Sequence, residues 1–164
     1  MPQLLPVSGL LARIERNWPE MAQQLLPAVP YLYRARDLLF EDLQDSLEPA
    51  GLLPADLDVL AALRVQPEPH ELTPTALYQA LFLSSGGLTK ILGRLQQAEL
   101  IERHANPLDR RSRLVRLSAQ GRQRLDALVG TLGEHERRFL SPLDPGEQAE
   151  LARLLEKLVS LGET

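Results

Sequence analysis

The stretch from Thr73 to Gly121 constrains this chain more than any other: TPTALYQALFLSSGGLTKILGRLQQAELIERHANPLDRRSRLVRLSAQG. It predicts two short helices and then a basic β-hairpin. Thr73 followed by Pro74 pairs an N-cap with a first-turn proline. Leu77, Ala80 and Leu81 then mark one buried face. Ser84 and Ser85 offer a second N-cap, and beyond them Leu88, Ile91, Leu92 and Leu95 recur at i, i+3, i+4 and i+7. That spacing is one apolar stripe on a helix. At about 100° per residue, the centre of the opposite face falls on Gly86, Lys90, Gly93 and Gln97, with Thr89 and Arg94 on its flanks. A helix with an apolar back and a thin, small-residue, basic front suits insertion into the major groove of DNA.

The hairpin follows directly. Leu100 to His104 is a short strand and Arg113 to Leu117 its return, with the turn-favouring Asn106, Pro107 and Asp109 between them. The turn and return carry Arg110, Arg111, Arg113 and Arg116. The run Asp109-Arg110-Arg111-Ser112, leading into Leu114-Val115-Arg116-Leu117-Ser118 and Gly121, resembles the wing signature of the MarR (multiple antibiotic resistance regulator) family of bacterial transcription factors. That signature is an Asp-x-Arg tip, a strand, and a Thr/Ser-x-x-Gly helix start. Phe82 departs from the pattern, standing where the family often has glycine.

The resemblance implies a mainly α fold: a winged helix-turn-helix with a small β-hairpin wing, flanked by N- and C-terminal dimerisation helices. It implies a homodimer on a pseudo-palindromic double-stranded operator. It also implies repression released by a small aromatic or phenolic ligand held between the dimerisation helices and the winged unit. Ser84, Ser85, Gly86, Thr89 and Lys90 become the base-reading side of the recognition helix, with Arg94 placed for a phosphate. Arg110, Arg111 and Arg113 become wing contacts, Arg111 entering the minor groove and Asp109 orienting an arginine. The family's peroxide-sensing branch uses cysteine, and this chain has none.

Charge supports the same reading only when resolved along the chain. The formal net charge is −4, which alone argues against nucleic acid. Yet Ser84 to Arg124 holds nine Lys/Arg against three acids, a net of +6, so the remainder carries −10. A basic stripe on an acidic body is an electrostatic footprint for a phosphate backbone.

The flanks read as helices. Prolines at 2, 6, 19, 27 and 30 break the start into an arm with a short helix through Leu10, Leu11 and Ile14 and another after Pro19. Trp18, the one tryptophan, reads as core, with an anchor against a partner subunit as the alternative. Tyr31 to about Glu48 is the first sustained helix, stopped by Pro49, Ala50 and Gly51. Pro54 opens the next, with Leu57, Leu60, Ala61 and Leu63 as its apolar face. Ser118 caps a long helix through Leu125, Leu128, Val129 and Leu132 to Phe139. Asp144-Pro145-Gly146-Glu147 is a capping box before a leucine-rich stripe. The organisation is therefore residues 1–52 as arm and dimerisation helix, 53–118 as winged unit, and 119–164 as C-terminal dimerisation helices. The terminal stripes need burial, and a second copy of the chain is the economical answer. Tyr31, Tyr33, Arg34 and Phe40 are the candidate ligand-binding residues.

No cofactor, metal or catalytic site is expected. His70, His104 and His135 are scattered without metal-ligand spacing and read as surface or capping residues, His104 within reach of a phosphate. Ser84-Ser85-Gly86-Gly87 lacks the length and lysine of a P-loop. Acid pairs such as Glu41/Asp45 fit solvated helix faces. There is no apolar run of about 18 residues for a membrane span and no signal-peptide pattern, so a cytoplasmic location is expected. The competing reading is a winged-helix protein-interaction module that does not bind DNA. Four arginines within residues 110–116 are what such a module does not need.

Overall fold

The computed structural model describes residues 5–81, 85–109 and 112–160, Ser85 without its side chain. These group into two compact units, Met1–Leu43 and Gln44–Thr164.

In the first unit, proline sets the helix limits. α1 (Val7–Asn17) follows Pro6, and α2 (Pro19–Gln24) begins with proline at its first position. Trp18 joins them outside the helical region, at φ −149° and ψ 65°, and the proline that follows disfavours helix at this residue. Trp18 is 58% exposed, so the core expectation fails. It is a junction residue of neither helix, and helical periodicity does not bury it. α3 (Ala28–Leu47) begins two residues before Pro30, within its own first turn, where the missing N–H is tolerated. Tyr31, Leu32, Tyr33, Leu38, Leu39 and Phe40 on α3 are all exposed.

The second unit opens with the end of α3. Leu47 is fully buried, a 3₁₀ turn (Glu48–Ala50) follows, and Gly51 takes a left-handed φ of 64° that a side chain would resist. α4 (Pro54–Arg64) starts with the Leu53 N–H donating to Asp56 Oδ2 at 2.9 Å. β1 (Glu71–Leu72) precedes α5 (Pro74–Leu81), where Thr73 Oγ1 accepts the Ala76 N–H at 3.1 Å as its cap. α6 (Ser85–Gln97) is followed by β2 (Ile101–Ala105) and β3 (Arg113–Leu117), then α7 (Ala119–Leu140) and α8 (Pro145–Val159). The sheet is antiparallel in the order β1-β3-β2, with Ile101 opposite Leu117 and Arg103 opposite Val115.

The core gathers Val59, Leu60, Leu63, Leu77, Leu88, Ile91, Leu92, Leu95, Ile101, Val115, Leu117 and Leu125. Leu57, expected in it, is only half-buried, and Val59 takes the place. α4 meets α5 and α6 and also α7, so its buried face is broader than a two-helix contact needs. Ser118 locks the sheet to α7. Its hydroxyl donates to the Glu99 carbonyl at 2.7 Å and accepts the Gly121 N–H at 2.8 Å. The α8 capping box forms as expected, with Asp144 Oδ1 accepting from Gly146 and Glu147 and Glu147 returning to the Asp144 N–H.

Two histidine expectations are corrected. His70 is buried, its Nδ1 2.7 Å from the Gln66 carbonyl and its Nε2 3.1 Å from Glu68 Oε1, in the turn that leads to β1. His135 is buried on α7. Both are structural positions that sequence spacing does not distinguish from surface ones. Among the described residues no helix is long and apolar enough to cross a membrane.

Candidate nucleic-acid interface

The recognition-helix face follows from the stripe behind it. Leu88, Ile91, Leu92 and Leu95 are buried, which rotates Gly86, Thr89, Lys90, Gly93 and Gln97 outward, all exposed. A Cβ added at Gly86 or Gly93 would meet no atom within 4 Å. No intramolecular packing therefore requires glycine at either place. Lys90 stands on this face with Thr89 beside it.

Arg94, on the flank, has a structural partner that its sequence context hides. Its Nη2 lies 2.6 Å from Asp56 Oδ1, and its Nε lies 3.1 Å from both carboxylate oxygens. The pair ties the recognition helix to α4.

The wing tip is closed by short polar bonds. Asn106 Nδ2 donates to Ser112 Oγ at 2.8 Å, the Leu108 N–H donates to Asn106 Oδ1 at 2.9 Å, and the Ser112 N–H donates to the Asp109 carbonyl at 3.0 Å. Arg113 leaves this tip exposed at the first position of β3. Arg116 turns to the other face and pairs with Glu71, Nε to Oε2 at 2.9 Å. His104 Nε2 is 2.9 Å from Glu102 Oε2. Ser84, Phe82, Arg110, Arg111 and the Ser85 side chain lie outside the described residues.

On α3, Arg34 and Phe40 come together on a shallow groove of about 220 Å³ that Asp37, Leu38 and Glu41 complete. Arg36 sits 5.9 Å from the centre of the Phe40 ring. Tyr31 and Tyr33 are exposed and do not line this groove.

Comparison with known proteins places this geometry. Residues 50–112 match the MarR family. The chain is 30% identical over 145 residues to the multiple antibiotic resistance protein MarR of Escherichia coli (strain K12), covering 88% of this chain and 99% of that one. It is 28% identical over 158 residues to the HTH-type transcriptional regulator PecS of Dickeya dadantii (strain 3937), covering 96% and 95%. The crystal structure of a mutant MarR from E. coli complexed with operator DNA superposes with a TM-score of 0.74 at 26% identity, covering 82% of this chain and 95% of that one. With the buried stripe of α6, the three-stranded wing and these relatives in agreement, the chain belongs to the MarR family of winged-helix, DNA-binding transcriptional regulators.

Proposed function

We propose that the chain works as a homodimeric repressor on a pseudo-palindromic operator, in the cytoplasm. The observation that carries this is the outward face of α6: Gly86, Thr89, Lys90 and Gly93 are exposed over a fully packed back, beside a wing whose Arg113 is also exposed. α6 enters the major groove, with Ser84, Ser85, Gly86, Thr89 and Lys90 facing base edges. The wing, through Arg110, Arg111 and Arg113, holds the backbone and places Arg111 in the minor groove. Support for repression comes from the transcriptional repressor MdtR of Bacillus subtilis (strain 168), 28% identical over 147 residues. Support for operator binding comes from the E. coli MarR mutant, crystallised with operator DNA.

The dimer rests on uncovered apolar surface at both ends of the chain. Leu154, Leu155, Leu158 and Val159 of α8 are exposed, as are Trp18, Leu26 and the α3 aromatics. In this reading residues 1–52 and 119–164 pair two copies and 53–118 carries the DNA contacts. The recognition helices then lie about 34 Å apart or slightly less, one turn of DNA. A small aromatic effector acts through the α3 residues Tyr31, Tyr33, Arg34 and Phe40, of which Arg34 and Phe40 share a groove.

Selection of bound sites from a random DNA pool tests the core of this reading. The expected product is an inverted repeat with half-sites one helical turn apart. Recovery of no sequence preference, or a monomer by sedimentation at micromolar concentration, would overturn it.

A further inference from the structure

The two faces of the wing hairpin differ in how their charges are answered. The register puts Glu102, His104, Leu114 and Arg116 on the outer face, with Glu71 of β1 directly opposite Arg116. Each basic side chain there has an acid beside it: Arg116 lies 2.8 Å from Glu71, and His104 lies 2.9 Å from Glu102. The inner face carries Ile101, Arg103, Arg113, Val115 and Leu117. Ile101, Val115 and Leu117 are buried, and β2 packs on α6. Arg103 sits one inner-face position further out, opposite Val115 and diagonal to Arg113.

Arg103 is half-buried, and its Nε is fully buried with no hydrogen-bond partner. Among the described residues it is the one buried side-chain polar atom left unsatisfied. Buried donors almost always find acceptors, and a charged donor is the costliest to leave without one. Among the described residues no acid pairs with Arg103 or Arg113, so two guanidinium groups share a face without an ion pair there. Diagonal neighbours on one sheet face are within reach of a common partner for long side chains.

We propose that Arg103, with Arg113, seats a backbone phosphate of duplex DNA in the crevice between wing and recognition helix. The proposal rests on the reading that α6 occupies the major groove and the wing the adjoining minor groove. Two elements in neighbouring grooves straddle one sugar-phosphate strand, and the surface facing that strand lies between them. On this chain that surface includes the inner face of the hairpin where it leaves α6. A phosphate oxygen there accepts from the outer N–H groups of the half-buried Arg103 guanidinium in a charge-assisted bond, with the buried Nε behind them. The contact fixes register and carries no sequence information.

The test uses the full chain, a selected operator duplex and a random-sequence duplex of equal length, each titrated across a salt series, together with thermal unfolding of the free protein. Arg103→Met is expected to leave the melting temperature unchanged or raised, because it removes an unsatisfied buried donor. It is expected to weaken binding to both duplexes by about tenfold and to flatten the slope of log K against log salt by about 0.9, one phosphate's share. The operator-to-random ratio stays the same. Arg103→Lys keeps the slope and loses part of the affinity, and Arg103→Gln repeats the measurement if methionine disturbs the hairpin. A lowered melting temperature with an unchanged slope would make Arg103 a structural residue and overturn the proposal while leaving the DNA reading intact. Absence of salt-dependent binding by the unmutated chain would overturn both.

Discussion

The guanidinium of Arg94 on the recognition helix forks onto the carboxylate of Asp56 at the start of α4, with Nη2 2.6 Å from Oδ1. Asp56 is 1% exposed, while the Arg94 side chain keeps 43% of its surface. The same carboxylate accepts the Leu53 N–H at 2.9 Å, so one buried acid caps α4 and anchors α6. A buried carboxylate is tolerated only when its lone pairs are answered, and here three donors answer it. The orientation of α6 thus depends on a pair near its C-terminal end.

Arg94→Ala is expected to destabilise the protein by about 2–3 kcal/mol, below the range for a wholly buried pair because water reaches the arginine side. Urea unfolding measures the loss. Operator affinity also falls, as the helix loses its tether, but the salt slope is unchanged. A slope reduced by about 0.9 with unaltered stability would instead put Arg94 on a phosphate.

Local signals carried most of the fold. The caps at Thr73, Ser118 and Asp144 depend on residues within three positions, and each forms as its sequence says. The α6 stripe is likewise a matter of period alone. Asp56 and Arg94 are 38 residues apart, and each already has a local explanation, one as a first-turn acid and the other as a basic flank. Nothing in the sequence asks for the pairing. Arg103 was hidden for a related reason. Its place on the inner face follows from register with Val115, which exists only once β2 and β3 pair. His70 depends on a turn conformation, with φ of 57°, that spacing does not announce.

Gly121 is a glycine the fold cannot replace. A Cβ there would lie 2.1 Å from the Leu100 carbonyl oxygen and 2.9 Å from its carbon, both backbone atoms. α7 must therefore move away from the β2 lead-in, and the Ser118 bonds to Glu99 and Gly121 open with it. Gly121→Ala is expected to cost about 3 kcal/mol, the upper end for overpacking. Unchanged thermal stability of the variant would contradict this close approach.

Asp58 on α4 makes a pH-dependent contribution. It is exposed, yet partial desolvation raises its carboxyl above the usual aspartate value. A folded-state value above the unfolded one means that the folded chain binds the proton more readily. Ionised Asp58 therefore weakens the fold above its folded-state pKa, and the penalty fades as pH falls through it. Asp58→Asn is expected to melt slightly higher than the unmutated chain at neutral pH, with the two curves converging in acid. A gap that persists or widens in acid would assign the effect to something other than this titration.

The glycines of the recognition helix make the sharpest claim about DNA. Gly86 and Gly93 are exposed, away from the leucine stripe, and neither has an atom within 4 Å of where a Cβ would stand. Each costs about 1 kcal/mol against alanine in a helix interior, less in the first turn. Core packing therefore gives no return for that cost, and close approach to a partner does. In the proposed reading, an α6 backbone without side chains at these positions sits deeper against base edges, bringing Thr89 and Lys90 to hydrogen-bonding distance, with Lys90 suited to guanine. Gly86→Ala is expected to leave the free protein as stable or more so, while weakening operator binding more than binding to random duplex. Lys90→Ala is expected to relax preference at one position per half-site, by about 1–3 kcal/mol of discrimination. Competition between operator variants and random duplex reads both. If Gly86→Ala binds the operator as well as the unmutated chain or better, the added methyl meets no base, and the helix does not approach as closely as its bare face allows.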